Sequence, residues 1–515
     1  MKFKSYIAIL FVGMALLLSS CEDYLDINQN PNNPTDVEAA LLLAPIQNQY
    51  ALGIQFDARY IGRYVQNWQN AALVNDPWDL HGYVPASDAG GELWRNVYWR
   101  GGRNLLNLIS DAQANQKWDY AGVGLVLQAW GWQMLTDVHG EIILDEAYDL
   151  DPNKNIFNYN TQPEVYAKVQ QLLTDAIQNL NRADGNVSSV QLARGDQIYK
   201  GDRIKWKRFA YGLLAINAHH LSNKKGTYNP DKVMQYVDSS LVSNADDAVM
   251  NFNGLSTADA SFFGPIRQNM NSFVQSNYVL RLLDGTVTTV KDPRLPIMLV
   301  PSVDGVYRGL NPGQGQSTAA SAPVASRTVN VWGLPVNVNP PVGTLGRFLF
   351  TDKGPMPLMT YAQLQFIKAE AAFIKGDKAT ALAAYKKGID AHMSASYVNV
   401  PAADRTAFLN NPLVVPTVAA NLTLGQIMSQ KYIAQWGWGF LEQWADLRRY
   451  NYGVGTDAFP TFALPNTFYG DNGGKPVQRL RPRYNSEYVW NIPALTKIGG
   501  FDLDFHTKPV WFTQP

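Results

Sequence analysis

Cysteine is nearly missing from this chain of 515 residues: Cys21 is the only one. That rules out a disulfide framework and any thiolate metal site. No charge of either sign predominates, since 43 Lys and Arg balance 43 Asp and Glu. The balance argues against a nucleic-acid partner, which needs a basic stripe. No long apolar run follows the first twenty residues, so nothing later in the chain is expected to cross a bilayer, which takes ~20 apolar residues.

Catalytic signatures are scarce too. No G-x-S-x-G nucleophile motif and no HExxH zinc motif occurs. Asp149, Asp151, Asn153 and Asn155 imitate the start of a calcium loop, but Lys154 and Asn160 stand where its glycine and its final glutamate belong. Asp137, His139 and Glu141 alternate, without a further histidine at ligand spacing. His219 and His220 are adjacent, so on a helix they diverge. Glu141, Asp145 and Glu146 are close in sequence, as acids in any charged turn are, whereas a glycosidase needs two carboxylates held ~5–10 Å apart across a cleft. The expectation is a protein that is not an enzyme, with no cofactor and no metal.

What is present begins at the N-terminus. Lys2 and Lys4 precede an uncharged stretch from Tyr6 to Leu18, and Leu18-Ser19-Ser20 leads directly to Cys21. This is the layout of a lipoprotein signal peptide over residues 1–20, with Cys21 as the lipidated first residue of the mature chain. Several acyl chains make such an anchor stable, at ~0.8 kcal/mol per buried CH2. A polar tether rich in Pro and Asn, residues 21–35, leads away from the membrane.

Residues 36–515 read as one all-α domain. From Val165 to Leu180, the residues Val165, Val169, Leu172, Leu173, Ala176 and Leu180 share one helix face, behind a capping box at Thr161–Glu164. Tyr361, Leu364, Ile367, Ala371 and Ile374 line a second helix; Gly376-Asp377 breaks it, and Ala379, Leu382, Ile389 and Met393 line its return. Such hairpins pack like tetratricopeptide (TPR) units, although the repeat consensus is absent. Further helices are expected over Asp36–Trp68, Leu93–Ala114, Tyr120–Asp137, Lys205–Leu221, Pro230–Val242 and Leu424–Tyr450. Between about 251 and 346, Pro, Gly, Ser, Thr and Val replace this periodicity. The embedded Phe262, Phe263, Tyr307 and Trp332 mark the stretch as an ordered, loop-rich insertion.

Several segments, in order, resemble the SusD/RagB family of outer-membrane lipoproteins, more closely its SusD-like branch. They are Tyr24-Leu25-Asp26-Ile27-Asn28 with Pro31-Asn32-Asn33-Pro34, and Asp137-Val138-His139-Gly140-Glu141 with Glu146-Ala147, where the family's usual proline is absent. Gly195-Asp196 through Tyr199, Gly201-Asp202 and Trp206 follows, then Asp292-Pro293-Arg294 and Phe366-Ile367-Lys368-Ala369-Glu370-Ala371. Gln430-Lys431-Tyr432, Trp444 through Arg449, and Arg481-Pro482-Arg483-Tyr484 with Glu487 and Asn491 complete the series. The resemblance implies an all-α fold with TPR-like helix pairs. It also implies a non-catalytic cell-surface binder that captures an oligosaccharide and passes it to a SusC-like TonB-dependent outer-membrane transporter, with peptide or another oligomer as the alternative ligand. Glu22-Asp23 resembles the acidic signal that sends such lipoproteins to the outer face.

A sugar binder needs aromatic platforms beside hydrogen-bonding groups. The densest candidate is Arg63, Asn67, Trp68 and Asn70, followed by Trp78, Asp79 and Tyr83 in a segment punctuated by Pro and Gly. Trp332, in the insertion, is the next. Loop-borne Trp78 and Trp332 are expected to be exposed, whereas Trp206, Trp436 and Trp444 lie in helical motifs and are expected in the core.

Overall fold

Helix packs on successive helix through most of the chain. A computed structural model describes residues 38–149, 151, 153–316 and 323–515. Cys21, the signal segment and the tether lie outside them. The chain divides into two units, Met1–Glu38 and Ala39–Pro515, and the helices and strands named below all belong to the second.

The first helix, α1 (Ala39–Tyr64), buries Leu43, Ile46, Tyr50, Ile54, Ala58 and Ile61 at the spacing of one helical face. It ends earlier than the sequence predicts. Gln66 turns into the left-handed region at φ 57°, and Trp68 enters a strand, β1 (Trp68–Asn70). Trp68 then folds back on α1, where a Cβ at Gly62 would lie 2.8 Å from its indole.

The main series comprises α2 (Gly102–Ala114), α3 (Trp118–His139), α4 (Gln162–Asn181), α5 (Arg203–His220) and α6 (Pro230–Asp238), then α7 (Tyr361–Lys375) and α8 (Lys378–Ser394). Each packs on the next, which is the TPR-like arrangement. Local chemistry sets the ends. The capping box before α4 is formed, with Glu164 accepting from the Thr161 N–H at 2.7 Å. Asp202 caps α5, and the α7–α8 hairpin turns at Gly376, φ 90°.

The expected helix Leu424–Tyr450 is two helices, α9 (Leu424–Gln435) and α10 (Phe440–Arg449). Gly437 at φ 88° breaks the pattern between them. Trp206, Trp436 and Trp444 are fully buried, as their helical settings predict.

The loop-rich region adds two antiparallel ribbons. One pairs β1 with β3 (Phe273–Gln275), and the other pairs β2 (Ala248–Met250) with β4 (Met356–Met359). The fold is all-α with these small additions.

Candidate functional site

The loop after α1 closes on itself around buried ion pairs. Arg63 pairs with Asp76 and, at 3.2 Å through Nε, with Asp79. Asp76 also accepts from the Trp78 N–H at 3.0 Å and from the Asn70 side chain at 2.8 Å. Burial pushes the Asp79 carboxyl up to about 7, against the pull of Arg63.

Trp78 lies between the rings of Tyr60 and Tyr64, with centroids 4.9 and 5.5 Å away. The Tyr83 hydroxyl donates to Asp471 at 3.0 Å, under the Arg481 guanidinium. Trp332 donates its indole N–H to the Phe263 carbonyl at 2.9 Å.

The expected exposed platform is therefore corrected. Trp68, Trp78, Tyr83, Trp332, Asn67, Arg63 and Asp79 are buried and Asn70 is half-buried, because the rings pack on neighbouring rings and the acids are held on Arg63, although the Trp68 and Trp78 indole N–H groups and the Asn67 amide have no partner among the described residues.

The acidic motif at the end of α3 is also dispersed. Asp137 accepts from the Gln133 amide and the Tyr166 hydroxyl, His139 faces the Leu480 carbonyl at 3.3 Å, and Glu141 pairs with Arg479 at 2.5 Å. Another triad does assemble: Asp137, His220 and Glu442 bring potential metal-ligand atoms within 4.8 Å of one another. Both His220 ring nitrogens are engaged, however, Nδ1 3.3 Å from Asp137 and Nε2 3.1 Å from Glu442. Burial opposes its charge, yet the two carboxylates outweigh burial and push the imidazole up to about 9. A protonated His220 thus already supplies the positive charge that a cation would bring.

Of the 14 tryptophans, the two with exposed rings are Trp99 and Trp490, 68% and 70% accessible. Trp99 sits on a π-helical turn, Asn96–Arg100, wedged between a short helix, Glu92–Arg95, and α2. The Gly101 N–H reaches the Asn96 carbonyl at 2.9 Å, a five-residue step. The turn is held from several sides. Asp57 accepts from the N–H groups of Glu92 and Leu93 at 3.2 and 2.8 Å, and burial pushes its carboxyl up to about 7. The Asn96 amide donates to the Gln49 carbonyl at 2.9 Å. Glu92 pairs with Arg95 and Arg100 at 3.1 and 2.5 Å. A Cβ at Gly102 would lie 1.9 Å from the Val97 carbonyl, so only glycine permits this approach.

Beside Trp99 opens a cleft of about 210 Å³, walled by Trp94, Arg95, Tyr98, Phe157, Arg483 and Glu487. The Arg95 guanidinium lies 5.6 Å from the Trp99 ring centroid. Burial raises the Tyr98 hydroxyl well above its ordinary range, so it stays neutral and donates to the Ile143 carbonyl at 2.7 Å. Glu487 is fixed by the Tyr159 hydroxyl at 2.6 Å and the Asn491 amide at 2.8 Å. An exposed indole face, a guanidinium and a fixed carboxylate around one cleft suit a ligand with both C–H faces and hydroxyls.

Trp94, Arg95, Tyr98 and Trp99 were not singled out in the sequence, where the run reads as the start of one helix. Its signal was spacing: five residues past Trp94 is about 140° round a regular helix, off any shared face.

Against known proteins, the SusD-like family described as starch-binding and associating with the outer membrane matches residues 31–467. The chain belongs to this SusD-like family. No curated protein matches it. Among solved structures, a chitin-binding protein superposes with TM-score 0.71 at 20% identity, over 93% of this chain and 100% of that one. A SusD/RagB family protein from Bacteroides thetaiotaomicron gives 0.70 at 20%, over 93% and 99%. A chitin-binding SusD homolog from Flavobacterium johnsoniae gives 0.69 at 19%, over 92% and 98%.

Most motif residues of this SusD-like chain form buried polar joints. Glu370 meets Lys431 at 3.1 Å and Arg449 at 2.8 Å, and Asp446 joins both cations. Arg294 pairs with Asp292 at 2.6 Å and reaches His392 at 2.9 Å. Asp196 accepts from the Trp206 indole at 2.8 Å and the Gly201 N–H at 2.9 Å. Two motifs reach the cleft, the one at Asp137–Ala147 through Ala147 and the last through Arg483 and Glu487.

Proposed function

We propose that this SusD-like protein is a cell-surface nutrient-binding lipoprotein that captures an oligosaccharide at the Trp99 cleft and delivers it to a SusC-like TonB-dependent transporter. The observation that carries the reading is Trp99 itself, an indole held in water by a π turn beside a cleft that offers a cation and a fixed carboxylate. Membership of a family described as starch-binding and the chitin-binding description of two fold neighbours favour a glycan over a peptide. The acids of the motif after α3 are engaged with Arg479, Asn160 and Lys154 rather than facing one another across a cleft, which favours binding over hydrolysis.

Calorimetric titration with maltoheptaose, chitohexaose and a random oligopeptide mixture tests the ligand. The expected result is binding of at least one glycan that Trp99→Ala removes; peptide binding alone replaces the reading. Anchoring through Cys21 predicts that Cys21→Ala leaves the membrane fraction. Mild-detergent purification from native membranes is expected to bring down a TonB-dependent barrel, and recovery of a lone monomer counts against the transporter role.

A further inference from the structure

A second concavity shares no lining residue with the Trp99 cleft. It lies where α8 and the first turns of α9 meet the loops around 288, 413 and 458, and it encloses about 380 Å³. That is room for roughly a dozen waters at ~30 Å³ each, and within the ~300–1,000 Å³ typical of small-molecule sites.

Its floor is α9. Ser429 is buried, 4% accessible, yet its hydroxyl finds no hydrogen-bond partner among the described residues. A hydroxyl left this way in an interior costs about 1–3 kcal/mol, so a chain that keeps one facing a cavity this size points to a partner from outside. Beside it, the Gln430 side-chain amide oxygen accepts from Arg294, and the Tyr385 hydroxyl donates to the Val414 carbonyl at 2.9 Å.

The walls are held in uncommon conformations. Gly425 lets residues 457–460 cross close over α9, since a Cβ there would lie 2.6 Å from the Asp457 carbonyl. Opposite, Thr289 adopts φ 59°, a left-handed backbone that a β-branched residue rarely takes. Such strain is found disproportionately at ligand sites. The turn is fastened by the Thr289 N–H to the Gly285 carbonyl at 2.8 Å and by the Thr288 hydroxyl to the Val290 carbonyl at 2.8 Å. Both threonine hydroxyls spend their protons on backbone carbonyls and keep lone pairs to accept with.

The lining defines the chemistry. No lysine, arginine or histidine contributes, so an anion has no counter-charge, and Asp457 alone is too little for a cation. Hydroxyls of Ser429, Thr288, Thr289 and Thr423 alternate with apolar Val287 and Leu413. We propose that this cavity is a second binding site, independent of the Trp99 cleft, for a small neutral polyhydroxylated ligand such as a one- or two-ring sugar.

Maltose and N,N′-diacetylchitobiose, titrated calorimetrically into the full chain carrying Trp99→Ala, test the site apart from the cleft. One of them is expected to bind and to slow hydrogen exchange over Gln426–Gln430. Adding Ser429→Val, which puts methyl groups in place of the hydroxyl at the cavity floor, should weaken that binding more than tenfold. Adding Ser429→Ala, which removes only the hydroxyl and preserves the fold, should weaken it severalfold. Failure of both disaccharides to bind Trp99→Ala, or binding that Ser429→Ala leaves unchanged, overturns the proposal. Disaccharide binding to Trp99→Ala alongside unchanged maltoheptaose and chitohexaose affinity would retain this site and remove the glycan role of the cleft.

Discussion

Trp332 lies in a loop-rich segment and is buried, whereas Trp99 lies in a helical run and is exposed. Flexible-looking sequence and solvent exposure are separate properties. Trp332 is drawn in by a bond to Phe263, 69 residues away, and Trp78 by tyrosines of α1. Trp99 stays out because, five residues past Trp94, it falls off the face that Trp94 and Val97 bury. Long-range partners decide the first case and local winding decides the second.

The largest expected effect falls on the buried side of this comparison. Trp332→Ala should cost ~3–5 kcal/mol of unfolding free energy, read by urea denaturation, and a loss under ~1 kcal/mol would return Trp332 to the surface. Asp76→Ala should follow at ~3 kcal/mol, because it strips Arg63 of one buried partner; Arg63→Met should cost at least as much by the same denaturation, because it leaves both Asp76 and Asp79 without their cation.

How much of this was legible in the sequence depended on range. The α4 face, its capping box and the α7–α8 hairpin follow from spacing within one helix or between helices joined by a short turn, and the structure has them. The break at Gly437 was masked because buried residues continue on both sides of it. The burial of Trp78 and Trp332 could not be read, since their partners lie on other elements. The exposure of Trp99 was present as an off-face position inside an otherwise regular pattern.

Protonation extends the comparison to the interior beneath the helices. Folding raises the His220 imidazole from 6.5 to about 9, so its contribution is complete below pH 6.5 and is lost as pH rises through 9. Unfolding free energy should fall by on the order of 3 kcal/mol over that window, and His220→Gln should flatten the slope. A wild-type slope that survives the substitution assigns it to another group.

The smallest effect on stability belongs to Trp99→Ala, expected within ~0.5 kcal/mol. The same variant should lose at least tenfold in glycan affinity, or ~1.4 kcal/mol. Destabilisation comparable to that of Trp332→Ala would show that the indole serves the fold instead.

Gly102 gives the cleft a history as well as a shape. Three residues from Trp99, it accepts no side chain, for a methyl there would strike the Val97 carbonyl and the Tyr148 hydroxyl. Neighbouring positions therefore have opposite mutational tolerance, and a saturation library selected for folding alone should be depleted at 102 and permissive at 99. The side chain at 99 can therefore be exchanged without disturbing the backbone that presents it, while the scaffold at 102 stays fixed.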